Sequence, residues 1–161
     1  MLKDRPLHYS SITELPGRKL SVKSYRMLCL RYCFASQYVD RKRVLEVGCG
    51  PGVSLSHRSQ QTETIVGVEL TKSTLDHARI IVAKHDAVKF LTADAYAIPI
   101  KTVSFNVVVV LECINYLDLD VFLEECRRVP DHHGILVFDT PTKDVNSFRP
   151  GPLSTSYYSL P

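Results

Sequence analysis

A chain of 161 residues, 45% hydrophobic and 23% charged, suits one domain, can bury a core and need not be disordered. A net charge of +3 is too small to argue for nucleic acid, so no nucleic-acid partner is expected. No apolar run reaches membrane-spanning length, and Met1-Leu2-Lys3-Asp4-Arg5-Pro6 does not read as a signal peptide, so no membrane is expected and a cytoplasmic location follows by default.

Residues 1–19 read as an irregular segment, broken by Pro6, Pro16 and Gly17. The spacing predicts a helix over 20–39, with Tyr25, Leu28, Tyr32, Ala35 and Val39 on one face. Arg41-Lys42-Arg43 reads as a solvated turn. Val44–Val47 is a short apolar strand, and a polar crossover follows over 53–60. Ile65–Leu70 is a second strand. Thr71 caps a helix over 72–84, with Leu75, Ala78 and Val82 inward. Val88–Thr92 is a third strand, and Phe105–Leu111, with valines from Val107 to Val110, a fourth. Asp118 opens a helix over 119–129 that turns Leu119, Phe122, Leu123 and Cys126 inward, and Pro130 ends it. Gly134–Asp139 is the fifth strand. The stretch from Thr140 to Pro161 has prolines and no clear element.

Continuously apolar strands, rather than alternating ones, belong to a parallel sheet covered on both faces. Their alternation with helices predicts an α/β fold, doubly wound and Rossmann-like. Its sheet is mainly parallel, with five strands in the order 3-2-1-4-5 flanked by helices. The domain spans 20–140, between irregular segments at 1–19 and 141–161. The cysteines are Cys29, Cys33, Cys49, Cys113 and Cys126, odd in number and without a Cys-x-x-Cys pair. They read as reduced, mostly buried thiols. The side chains of His132 and His133 diverge from adjacent positions, so a solvated turn is expected there and no metal.

Glu46-Val47-Gly48-Cys49-Gly50-Pro51-Gly52 lies where a strand ends and a helix begins. Glycines there let the backbone turn tightly and approach a nucleotide. A dinucleotide fingerprint counted from Gly48 wants glycine or alanine at position 53, which is Val53. The third glycine instead comes one residue early, at Gly52. Glu69 ends the second strand, where a carboxylate can accept both ribose hydroxyls. Asp94 follows the third strand. Each has a bland alternative as an exposed helix cap, and their joint order behind the loop weakens it.

This acidic-x-Gly-x-Gly-x-Gly loop, with Val66-Gly67-Val68-Glu69, Thr92-Ala93-Asp94-Ala95 and Phe105–Glu112 in order, resembles the class I S-adenosylmethionine-dependent methyltransferases. Ile114-Asn115-Tyr116-Leu117 and Phe122–Val129 look like the family stretch before the fifth strand. Arg31-Tyr32 looks like a small-molecule subgroup whose lead-in helix covers the methionine end of the cofactor. The segment with Thr142-Lys143-Asp144 and Tyr157-Tyr158-Ser159 resembles that subgroup's loop after the fifth strand. Asp131-His132-His133-Gly134 departs from the usual Pro-Gly-Gly, and Asn106 replaces a common aspartate.

The resemblance implies S-adenosylmethionine as cofactor. It implies contacts from Tyr32, Glu46, Gly48, Cys49, Gly50, Gly52, Glu69, Leu70, Asp94, Ala95 and Leu111. Asn115 and Tyr116 are candidates to face the acceptor, with loop packing as the equal alternative. The expected function is methyl transfer to a small molecule, on oxygen, nitrogen or carbon, with no catalytic base assigned. The alternatives are a non-catalytic cofactor-binding fragment, an RNA methyltransferase and a nicotinamide-dependent oxidoreductase. Family members usually continue into a sixth and seventh strand. Their absence would shorten the enzyme at its C-terminus and leave Ile135-Leu136-Val137-Phe138 as a bare edge, inviting self-association.

Overall fold

A computed structural model describes residues 21–83, 85–101, 104–140 and, as backbone, 155–159. In chain order the elements are α1 (Val22–Ser36), β1 (Arg43–Val47), α2 (Val53–Arg58), β2 (Thr64–Glu69), α3 (Lys72–Ile81), β3 (Val88–Thr92), β4 (Phe105–Val110), α4 (Leu119–Arg128), β5 (Pro130–Asp139) and β6 (Thr155–Ser159). A 3-10 turn, Ile114–Tyr116, follows β4. The sheet order is β3-β2-β1-β4-β5-β6. The first five strands are parallel, in the order expected from the sequence.

The valine-rich strands feed two cores, one on each sheet face. Val44, Val107 and Val109 turn to the side covered by α1, α2 and α3, with Ala35, Leu55, Leu75 and Ala78. Leu45, Val47, Val108 and Val110 turn to the other side, with Phe122, Cys126 and Leu136. Full burial of each valine, leucine or phenylalanine among them contributes about 1.5–3 kcal/mol relative to exposure. Helices of six to ten residues are marginal alone, so this packing holds α2, α3 and α4 in place.

Local signals start two of the helices. The Ser21 hydroxyl accepts from Ser24 N at 3.0 Å and caps α1. The Asp118 carboxylate accepts from Val121 N at 3.4 Å and caps α4. Helix α1 is shorter than expected, ending at Ser36, and Tyr25 is 59% exposed rather than inward. Leu119, the first residue of α4, is 47% exposed rather than inward, whereas Phe122 and Cys126 are buried.

Several expectations are corrected at the C-terminal side. β5 begins at Pro130, not Gly134, and its register against β4 shifts between Phe105 and Val107. The chain loops out between them, and a side chain on Gly134 would lie 2.3 Å from Pro130 Cβ. His132 and His133 are therefore exposed strand residues, not a turn. Asn106 bridges this bulge, accepting from Arg43 N at 3.0 Å and donating to Asp131 at 2.6 Å.

The larger correction is β6. It pairs antiparallel with β5, from Ile135 opposite Ser159 to Asp139 opposite Thr155. The edge expected to be bare is thus covered, and the argument for self-association through it falls. β6 takes the place beside β5 where the resemblance puts the seventh strand of the family, and the sheet has six strands rather than five. Residues 1–19, expected to be irregular, and 141–154 lie outside the described residues. Of the cysteines, Cys49 and Cys126 are buried but Cys33 is exposed, so the thiols are not mostly buried. No helix of the described residues is long and apolar enough to cross a membrane.

Because the first five strands run the same way, their carboxyl ends share one edge. Gly48, Leu70, Ala93, Leu111 and Thr140 begin the loops there.

Candidate functional site

The loop after β1 is made of left-handed turns. Gly48, Gly50 and Gly52 have φ of 72°, 52° and 81°. Gly48 N and Cys49 N both donate to Val68 O, at 2.8 and 3.0 Å, so the loop leans on β2 as it starts. A Cβ on Gly48 would lie 2.6 Å from Cys113 Sγ, and one on Gly52 2.9 Å from Ala78 Cβ. Handedness and space both require glycine at 48 and 52. Gly52 is also the N-cap of α2, so the loop passes directly into a helix.

Glu69 ends β2 with its side chain turned to this loop. Gly50 N donates to Glu69 Oε2 at 3.3 Å, and Thr71 N to Oε1 at 3.0 Å. A carboxylate has about four acceptor sites, so roughly two remain for a diol. Leu70 beside it is 44% exposed and offers an apolar surface. The end of β3 is drawn in by a 3.2 Å bond from Ala93 N to Glu69 O. Asp94 and Ala95 follow, half-buried, and Asp94 Oδ1 accepts from Tyr96 N at 3.0 Å. Leu111 closes the end of β4 and is buried.

Two members of the expected set are set back. Both oxygens of the buried Glu46 are engaged, one by Ser54 Oγ and the other by an ion pair with Arg58. Glu46 thereby ties β1 to α2 behind the loop. Cys49 is buried beside Gly67, where a Cβ would lie 2.8 Å from its Sγ. Burial first, then the negative charges of Glu46 and Glu69, push its thiol well above the ordinary range. Cys49 is a neutral packing group at neutral pH.

The other end of the edge is a charge cluster. Glu112 adopts a left-handed φ of 56°, uncommon outside glycine. Its N donates to Asp139 Oδ1 at 2.6 Å. Arg31 of α1 pairs with Glu112 and, through Nε, with Asp139 Oδ2 at 2.6 Å. The lead-in helix is thus fastened to the ends of β4 and β5. The next residue, Tyr32, faces Arg58, whose guanidinium carbon is 5.8 Å from the ring centroid. Asn115 is exposed and accepts from Thr140 Oγ1 at 3.4 Å, and Tyr116 is 47% exposed.

The edge therefore gathers the glycine loop, Glu69, Leu70, Asp94, Ala95 and Leu111, with Asn115 and Tyr116 beyond β4. Sequence reasoning missed Arg58, Ser54, Cys113 and Asp139. Asp139 carried a usable signal, an acidic residue ending a strand like Glu69. Arg58 carried none, since a basic residue on a short polar helix reads as exposed. Among the described residues no group of histidine, cysteine, aspartate or glutamate could hold a metal ion.

A glycine-rich cradle beside a carboxylate with spare acceptor sites fits the amino-acid and ribose portions of an adenosyl cofactor. The comparisons agree in family. The profile described as "Methyltransferase domain" matches residues 45–138. A probable S-adenosylmethionine-dependent methyltransferase of Mycobacterium tuberculosis (strain CDC 1551 / Oshkosh) is 29% identical over 109 residues, 67% of this chain and 38% of that one. A ubiquinone biosynthesis O-methyltransferase of Bartonella tribocorum is 22% identical over 143 residues, 86% of this chain and 56% of that one. The chain thus spans about two fifths to just over half the length of these relatives. In fold it is similar to phosphoethanolamine N-methyltransferase 1 of Haemonchus contortus, solved with phosphoethanolamine and S-adenosylhomocysteine. The TM-score is 0.66 at 16% identity, over 77% of this chain and 28% of that one. With more than half of its residues matched by that profile, the chain belongs to the methyltransferase-domain family.

Proposed function

We propose that the chain binds S-adenosylmethionine and transfers its methyl group to a small-molecule acceptor. The observation that carries this reading is the bond from Gly50 N to Glu69, which joins the glycine loop and the β2 carboxylate into one unit. In this reading Gly48, Cys49, Gly50 and Gly52 cradle the methionine portion with backbone. Glu69 accepts the ribose hydroxyls. Asp94, Leu70, Ala95 and Leu111 surround the adenine. Tyr32 covers the methionine end from α1, and Glu46 shapes the loop from behind. Asn115 and Tyr116 face the acceptor.

The cofactor brings a methyl group already activated by its sulfonium. The residues of this chain supply proximity and alignment, which are worth several kcal/mol. No side chain is assigned as a general base, because one is needed only when the acceptor must lose a proton. The acceptor class rests on the names of relatives, such as the ubiquinone biosynthesis enzyme, and on the mild net charge.

Parallel calorimetric titrations with S-adenosylhomocysteine and NAD test the cofactor. S-adenosylhomocysteine is expected to bind and NAD not. Glu69→Ala, once shown to be folded, is expected to weaken binding about 10- to 100-fold, the size of lost charge-assisted bonds. NAD binding alone would overturn the assignment, and unchanged affinity in Glu69→Ala would remove Glu69 from the site.

A further inference from the structure

We infer that Arg58 is a positioning residue for the glycine loop and the joint that couples the covering helix α1 to it. This rests on the cofactor reading above. Arg58 is the last residue of α2 and is fully buried. Its Nη2 is paired with Glu46, whose other oxygen is held by Ser54. Its Nε and Nη1 have no hydrogen-bond partner among the described residues. Its guanidinium carbon lies over the Tyr32 ring, 5.8 Å from the centroid.

Core stability does not explain this residue. A buried guanidinium with idle donors is costly, and an apolar side chain in place of a buried ion pair is often neutral or stabilising. Geometry does explain it. Residues 46 and 58 bracket the loop, which contains three left-handed glycines. Glycines carry more backbone freedom than other residues, so such a loop is defined by how its ends are held. Glu46 holds the entering strand, and Ser54 and Arg58 fix the leaving helix to that same carboxylate.

The coupling to α1 follows from neighbouring residues. Arg31 fastens α1 to Glu112 and Asp139, and Tyr32 fastens it to Arg58. The guanidinium thus touches both the support of the loop and the helix that covers the methionine end. A leucine at 58 would fill the space and do neither.

The test uses the full chain with Arg58→Met and Arg58→Lys. Each is titrated with S-adenosylhomocysteine and with adenosine, which lacks the amino-acid portion, and melted by calorimetry. Folded Arg58→Met is expected to bind S-adenosylhomocysteine about tenfold more weakly, as for one lost charge-assisted contact, with adenosine affinity unchanged. Arg58→Lys keeps the charge beside Glu46 and is expected to recover part of the loss. If Arg58→Met does not fold, Arg58→Lys decides alone, with weaker S-adenosylhomocysteine and unchanged adenosine binding as the supporting result. Wild-type S-adenosylhomocysteine affinity in the folded variants overturns the inference, as does an equal loss for both ligands. A wild-type chain that binds neither ligand would instead sink the cofactor reading itself.

Discussion

Replacing Gly48 with alanine isolates the loop geometry. At φ of 72° an L-residue carries a cost of about 1–2 kcal/mol. The new Cβ also meets Cys113 Sγ at 2.6 Å and Cys113 Cβ at 2.7 Å. Rotating the thiol clears only the first contact, so backbone must shift at the 3-10 turn that Cys113 caps. Overpacking of this kind costs about 1–3 kcal/mol. The two effects sum to about 2–5 kcal/mol, a large part of the 5–15 kcal/mol typical of a domain. Urea unfolding of Gly48→Ala, Cys113→Gly and the double variant separates the terms. In the Cys113→Gly background only the backbone part of the alanine cost should remain, giving a coupling of about 1–3 kcal/mol. A cost for Gly48→Ala below about 1 kcal/mol, or no coupling with Cys113, would refute the close approach between the loop and the turn after β4.

Two further outcomes follow from charge and burial. Arg128 chiefly, with Ile98 N at 2.7 Å, holds the Glu125 carboxyl below its ordinary value of 4.5. A depressed folded-state value contributes stability above 4.5 that is lost as pH falls through it. Glu125→Gln should therefore lower the melting temperature at neutral pH, and the gap to wild type should close in acid. A gap independent of pH would contradict the pairing. Burial pushes the Cys126 thiol up to about 12, and Cys49 is likewise held neutral, whereas Cys33 is exposed. A thiol reagent followed by mass spectrometry should label Cys33 first and leave Cys49 and Cys126 until the chain unfolds. Early labelling of Cys126 would refute its burial between α4 and the sheet.

What the sequence revealed follows from the strength of each local signal. Strand β3 matches its expected limits, and β1, β2 and β4 fall within a residue of theirs, because apolar runs bounded by turns leave little choice. The start of β5 was hidden because Asp131-His132-His133 looks solvent-bound and gains its place only through the bulge and the Asn106 bridge. β6 was hidden because Thr155–Ser159 has no aliphatic residue, and its pairing to β5 is a long-range choice that propensity does not encode. At the site, the glycines were legible because their backbone conformation is written in their identity. The buried pairing of Glu46 with Arg58 was not, because it depends on how α2 packs over β1.

The cofactor site is decided by a crystal structure of the chain grown with S-adenosylhomocysteine. The homocysteine portion is expected along residues 48–52, both ribose hydroxyls on Glu69, and the adenine beside Leu70 and Asp94. A ligand bound away from the carboxyl edge of the sheet, or one whose ribose does not touch Glu69, would contradict it.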